Sequence, residues 1–136
     1  KDLYYWAEQG QGAFKQQGEE AAFSIKVRSP DKKRPGIVAS RDQAGPMVQE
    51  LLERFPGAET QSMGSSLKFC LIAEGKADIY LRDVPTMEWD TAAAQCVVEQ
   101  AGGVVQDIEG NRLGYNKPVL RNPSIITLGE ASFIWR

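Results

Sequence analysis

The chain has 136 residues, 42% hydrophobic and 25% charged, with 16 basic against 18 acidic side chains and a net charge of −2; this suits one ordinary soluble domain and excludes disordered and fibrous classes. The near-balance of charge gives no overall field for a nucleic acid polymer or an anionic bilayer, so an anionic ligand must be held by a local site. There is no histidine, which removes Ser-His-Asp and Cys-His nucleophiles, histidine zinc sites and any imidazole base, and leaves carboxylates, metal ions, hydroxyls, Lys and Arg to do any chemistry.

The opening residues, Lys1 to Tyr5, read as the middle of a strand, as in a fragment, and not as a signal peptide. Leu3 to Phe14 is an aromatic strand interrupted by Gly10 and Gly12, which permit a tight reversal. Ala22 to Val27 alternates apolar and polar residues, and the two segments together predict a hairpin. Ser29 to Gly36 is polar, basic and bounded by prolines, the best place for a boundary; its plain reading is a solvated loop.

Beyond it, short strands alternate with helices, which predicts an α/β layer. Ile37 to Ser40 is a short buried strand, followed by a helix with Met47, Leu51, Leu52 and Phe55 at core spacing and stopped by Pro56-Gly57. Glu59 to Met63 can form a strand, and Ser65 can cap a helix that places Leu67, Cys70 and Leu71 on one face and ends at Gly75. Asp78 to Arg82 is the next strand, and Trp89 to Ala101 a helix closed by Gly102-Gly103. Val104-Val105 is a strand, Asp107 to Asn111 a turn, and Ser124 to Leu128 a closing strand. Cys70 and Cys96 both fall in apolar helical patterns, which fits buried, reduced thiols of a cytoplasmic protein better than a disulfide framework. No apolar run approaches the ~18 residues of a membrane span.

Asp90 stands in the first turn of a helix whose next positions are small, in Glu88-Trp89-Asp90-Thr91-Ala92-Ala93-Ala94. Taken alone this is either a capping carboxylate with alanines for close packing or a ligand for a cation where backbone can approach. The wider pattern favours the second. Gly64 to Tyr80, then Arg82, then Pro85 to Ala93 resemble, in order and spacing, the C-terminal signature of the CysQ-type 3'(2'),5'-bisphosphate nucleotidases, in the inositol monophosphatase-like superfamily. Tyr5 to Glu8 with Gly12 to Phe14, Val38 to Arg41, Glu99 to Gly103, and Tyr115 to Lys117 with Asn122-Pro123 agree, so the resemblance covers nearly the whole chain.

The resemblance implies the C-terminal α/β layer of a sandwich fold, a mixed sheet with flanking helices. Residues 1–30 would then be the terminal hairpin of an otherwise missing N-terminal metal-binding domain, and residues 31–136 the C-terminal domain. It implies that Asp90 binds a catalytic magnesium ion, with lithium inhibition expected. Ser65, Lys68 and Arg82 would grip the phosphate that is not cleaved, a hydroxyl, two cations and free backbone N–H groups making a cradle. The implied reaction of the complete enzyme is hydrolysis of adenosine 3',5'-bisphosphate to AMP and phosphate, clearing a by-product of sulfate activation.

Most of the family's metal carboxylates lie in upstream segments, and the Asp-Pro-Ile-Asp-Gly-Thr run is not in this sequence. Gly18-Glu19-Glu20 follows the Gly12 hairpin, where the family's metal-binding Gly-Glu-Glu precedes it, so Glu19 and Glu20 are not ligands. This chain alone is therefore expected to be inactive or nearly so. Leu81 replaces a frequent proline, Asp83-Val84 an aromatic-glycine pair, and Gln43 falls near a histidine associated with base recognition. Alternatives are an inositol monophosphate phosphatase, against which Ser65, Lys68 and Arg82 argue, or a non-catalytic nucleotide- or partner-binding module. An exposed, partly apolar face where the missing domain would pack is also expected, with self-association as its corollary.

Overall fold

The computed structural model describes residues 3–38, 46–56, 59–61, 67–82, 88–115 and 124–135, with backbone alone for 59–61 and 88–90. It is α/β, in four layers. The first layer is an antiparallel sheet of β1 (Leu3–Glu8), β2 (Gly12–Gln17) and β3 (Phe23–Ile25) in that order. The expected hairpin thus gains a strand: Leu3 to Phe14 already contains two, with Gly10 at φ 81° between them, and Trp6 opposite Phe14. The second reversal uses Gly18 at φ 58°, where Glu20 N–H donates to the Gln17 carbonyl, so Gly18 to Glu20 is a turn with both glutamates exposed.

The second sheet has the order β5-β4-β6-β8-β7, built from β4 (Gly36–Val38), β5 (Glu59–Gln61), β6 (Ile79–Arg82), β7 (Val104–Asp107) and β8 (Ile125–Leu128). β5, β4 and β6 are parallel, and β8 runs antiparallel to β6 and β7, the mixed sheet expected. Its strands are apolar on both faces because both are covered. Ile79, Leu81, Ile126 and Leu128 face α1 (Pro46–Arg54) and the C-terminal Phe133; Val38, Tyr80, Val105 and Ile125 face α2 (Leu67–Ala73) and α3 (Glu88–Gln100). Each such aliphatic residue at full burial contributes about 1.5–3 kcal/mol before conformational entropy is counted.

α2 and α3 lie between the two sheets, and one core cluster runs from Ala13 and Ile25 of the first sheet through Phe69, Ile72 and Val98 to Val105 and Ile125 of the second. Both helices end as the glycines predict. Gly75 (φ 77°) and Gly102 (φ 104°) take left-handed backbone, and Lys76 N–H to Leu71 O and Gly103 N–H to Val98 O close the last turns. Gly103 is also a close approach: a Cβ there would meet Leu128 O at 2.7 Å and Val98 Cγ1 at 2.9 Å.

The basic segment after β3 is more anchored than a solvated loop. Residues 31–34 are exposed, but Pro35 and Gly36 are buried and Gly36 begins β4. Just ahead of it Arg28 makes a two-pronged pair with the buried Asp78, Nε to Oδ1 and Nη2 to Oδ2 both at 2.9 Å, and Gly36 N–H donates to Asp78 Oδ2 at 2.7 Å. β7 runs on to Asp107, two residues beyond Val105, and Asp107 Oδ1 then accepts from Glu109 and Asn111 N–H to form the turn.

Candidate functional site

α2 departs from its expected amphipathic reading. Leu67 is 36% exposed, whereas Lys68 is 4% exposed, along with burial of every residue from Phe69 to Ala73. The reason is its place between two sheets: a helix covered on nearly every side has no polar face, and the expected stripe is lost. Lys68 therefore carries an ammonium into the protein. Its Nζ lies 5.5 Å from the centre of the Tyr80 ring, and Phe69 meets the same ring edge-on at 5.0 Å.

Tyr80 and Arg82 are alternate residues of β6 and share a face, so the guanidinium at the strand's end lies on the same side as Lys68. The Arg82 guanidinium stands near enough to the Tyr80 hydroxyl for its charge to favour the phenolate. Its Nε is buried without a hydrogen-bond partner among the described residues, as is Thr127 Oγ1, on the β8 residue directly opposite Tyr80. Burial, and then the neighbouring Arg82 charge, hold the Lys68 ammonium below its usual value of 10.5.

Two cations in one protected place are costly unless an anion joins them. Among the described residues the ion pairs are Lys15–Glu74, Lys76–Glu74, Arg28–Asp78 and Arg112–Glu99, so no carboxylate serves Lys68 or Arg82. Lys15, comparably buried, is treated differently: Glu74 Oε1 accepts from its Nζ at 2.6 Å, while the Tyr5 hydroxyl donates to Oε2. Burial pushes the Glu74 carboxyl up, but the Lys15 and Tyr5 hydrogen bonds and the Lys15 and Lys76 charges outweigh it and hold the group below its usual value. This clasp fastens β1 and β2 to the C-terminal end of α2.

A second buried polar network fixes α3. Gln95, 2% exposed, donates to the Leu113 carbonyl at 3.2 Å and accepts from the Tyr115 hydroxyl, which is 3.1 Å from Thr91 Oγ1. Glu99 then takes both prongs of Arg112, at 2.7 and 2.8 Å. Asp90, next to Thr91, is the third residue of α3. Its side chain, and Ser65 and Gln43 altogether, lie outside the described residues.

Of the four sequence-predicted site residues, the structure thus brings Lys68 and Arg82 together and places the backbone of Asp90 in the first turn of α3. Tyr80 was missed, although the period-two pattern of β6 carries the signal that puts it beside Arg82. The seven-residue α2 is too short for its N-terminal amides to carry the site, which rests on side-chain charge. No group of three or more Cys, Asp or Glu able to hold a metal occurs among the described residues, so those residues do not by themselves fit a magnesium centre. The thiols are unpaired: Cys70 is buried, which pushes it up to about 12, but Cys96 is only half-buried, contrary to expectation, because it lies at the edge where α3 meets the Ala7 carbonyl. No helix among the described residues is long and apolar enough to cross a membrane.

Comparison with known proteins gives a consistent result. The sequence model of the "Inositol monophosphatase family" matches residues 1–131. The 3'(2'),5'-bisphosphate nucleotidase CysQ of Escherichia coli (strain K12) is 42% identical over 97 residues, 71% of this chain and 39% of that protein. The protein of the same name from Haemophilus influenzae is 32% identical over 134 residues, 97% of this chain and 50% of that one. The crystal structure of CysQ from Bacteroides thetaiotaomicron superposes with a TM-score of 0.79 at 36% identity, covering 91% of this chain and 52% of that chain. The chain spans about half the length of these relatives, or less.

Proposed function

Because this chain belongs to the inositol monophosphatase family, we propose that it forms part of a magnesium-dependent 3'(2'),5'-bisphosphate nucleotidase, which hydrolyses adenosine 3',5'-bisphosphate to AMP and phosphate. The observation that carries the reading is the pair Lys68 and Arg82, two neighbouring cations on one face of β6 with no carboxylate among the described residues. Such a pair suits the 5'-phosphate, which stays on the product. Lys68 supplies a point charge, Arg82 a planar fork whose orphaned Nε has a partner to gain, and Ser65 a hydroxyl.

Holding the spared phosphate fixes the nucleotide so that its 3'-phosphate is presented to the reacting centre, a gain from orientation more than from charge. Asp90 is the ligand this chain offers there, and magnesium is the cation its carboxylate oxygens suit. Bound magnesium would supply Lewis-acid stabilisation of charge on the cleaved phosphate. One aspartate does not make a metal centre, so the remaining carboxylates come from an N-terminal metal-binding domain, of which residues 1–30 are the end and to which residues 31–136 are the partner domain. This chain alone is then inactive or nearly so. The half-exposed aromatics Tyr4, Trp6 and Phe23 of the first sheet support a face for that domain or for a second copy. The unpaired thiols and a substrate derived from sulfate activation support a cytoplasmic setting.

An inositol monophosphate phosphatase has one phosphate to bind and no use for the Lys68–Arg82 pair. The test is phosphate release from adenosine 3',5'-bisphosphate and from inositol monophosphate, with magnesium and with or without lithium, by this chain and by the longest reading frame that contains it. Lithium-sensitive release from the bisphosphate by the longer chain alone supports the reading. A preference for inositol monophosphate overturns the phosphate-site assignment, and full activity of the short chain overturns the account of the metal centre.

A further inference from the structure

The phosphate reading gives Lys68 and Arg82 a task and leaves Tyr80, which meets the first with its ring and shares a strand face with the second, without one. Its burial is 97% complete, and its two ends do different things. The ring lies under the Lys68 ammonium, 5.5 Å from its centre, and is itself braced edge-on by Phe69 at an interplanar angle of 82°. The hydroxyl lies on the same face of β6 as the Arg82 guanidinium, near enough for that charge to act on the phenol. We propose that Tyr80 is the positioning residue of the anion site: its ring holds the ammonium and its hydroxyl the guanidinium, so two mutually repelling cations are presented together to one phosphate. The proposal rests on the phosphate-site reading and deepens it.

The physical logic is that a tyrosine can hold two cations without neutralising them. A carboxylate at position 80 would attract both more strongly, but would cancel the charge that the ligand must feel. A ring quadrupole attracts an ammonium over its face, and a phenol accepts from a guanidinium while remaining neutral. Burial raises the Tyr80 phenol above its usual value of 10.0 and outweighs the neighbouring Arg82, which acts to lower it, so the group stays protonated at neutral pH. A packing tyrosine would need none of this. Phenylalanine would fill the same space beside Phe69 with no hydroxyl to satisfy.

Because ring and hydroxyl act on different cations, two variants separate them. Tyr80→Phe keeps the ring, its contact with Phe69 and the ammonium, and loses the hold on Arg82; Tyr80→Leu loses both. With AMP as the probe in titration calorimetry, Tyr80→Phe is expected to weaken binding about 3- to 10-fold and Tyr80→Leu about 10- to 50-fold. Lysine side-chain NMR adds a readout that a merely structural role would not move: the Lys68 titration shifts in Tyr80→Leu and stays in place in Tyr80→Phe. In a Lys68→Met background the gap between the two variants closes.

Unchanged AMP affinity in Tyr80→Phe, which is conservative enough to fold, overturns the hydroxyl's role. An equal gap between the variants with and without Lys68 overturns the ring's role. If instead Lys68→Met and Arg82→Gln themselves bind AMP as the wild type does, it is the phosphate site that fails and not the assignment of Tyr80 alone.

Discussion

Lys68→Met should make the unliganded protein more stable and its anion binding much worse. Methionine keeps the length and packing of the lysine stem and removes a charge that sits 4% exposed, near Arg82 and without a carboxylate among the described residues. Replacing buried charge by a well-packed apolar side chain is commonly neutral to stabilising by about 1–4 kcal/mol. The Tyr80 ring already returns part of that at about 0.5–2 kcal/mol, so a net gain near ~1 kcal/mol is expected. For a chain of this size that is a rise in Tm of roughly 3–5 °C. The lost charge-assisted contact should weaken AMP binding roughly 10- to 100-fold.

The pH dependence has a definite sign. The folded-state value of Lys68 lies below 10.5, so between the two values the unfolded chain binds more protons and stability rises with pH. The wild type should therefore gain on Lys68→Met as pH climbs from neutral toward 10.5, with the handicap fully present below the folded value. Urea unfolding of both proteins at pH 7 and pH 10, with calorimetry against AMP, reads all of this. A variant that is less stable by 1 kcal/mol or more at pH 7 and still binds AMP normally would refute the reasoning.

Glu74→Gln should cost about 2–4 kcal/mol, since it leaves Lys15 buried without its counter-charge. Because the Glu74 carboxyl is held below its usual 4.5, the difference between wild type and variant in urea melts should be full above pH 4.5 and shrink as pH falls through the folded value. In the native protein Cys96 should be alkylated well before Cys70, whose thiol is buried and pushed up to about 12, and peptide mapping after brief labelling at pH 8 will show which thiol reacts. Gly103→Ala should destabilise by about 2 kcal/mol or more, because backbone and side-chain atoms already stand within 2.9 Å of the new methyl. Gly110→Ala, with φ 92° and open space, should cost only about 1 kcal/mol of backbone strain in the same thermal melts.

What the sequence made legible is what short-range physics controls. The period-two and 3.6-residue patterns, with glycines after Ala73 and Ala101, put β6, α2 and α3 where the structure has them. Arg82 could be placed at a strand end and Asp90 in a first helical turn for the same reason. What escaped depends on what covers an element from outside. Nothing local in Leu67-Lys68 says that α2 is buried on nearly all sides, so the spacing puts Leu67 on a core face it does not fully join, and the burial of Lys68 cannot be read. The Arg28–Asp78 pair spans 50 positions and the Tyr5–Glu74 bond 69, distances at which a charge run looks the same whether solvated or anchored. The burial of Gln95 in α3 likewise depends on Tyr115 and the Leu113 carbonyl, brought over from another segment to satisfy it.

The Glu74 clasp bears on how this protein could be divided. Tyr5 and Lys15 grip one end of α2 and Lys68 lies six residues toward the other, about 9 Å along a rigid rod. A cut at residue 30 would look clean, since Ser29 and Asp31 on either side are polar and exposed. It would nevertheless strand Glu74 as a buried charge beside Lys76 alone and loosen the helix that carries the ammonium. The first sheet is therefore not a detachable module, and recombination between relatives should succeed only where the donors of Tyr5, Lys15 and Glu74 travel together.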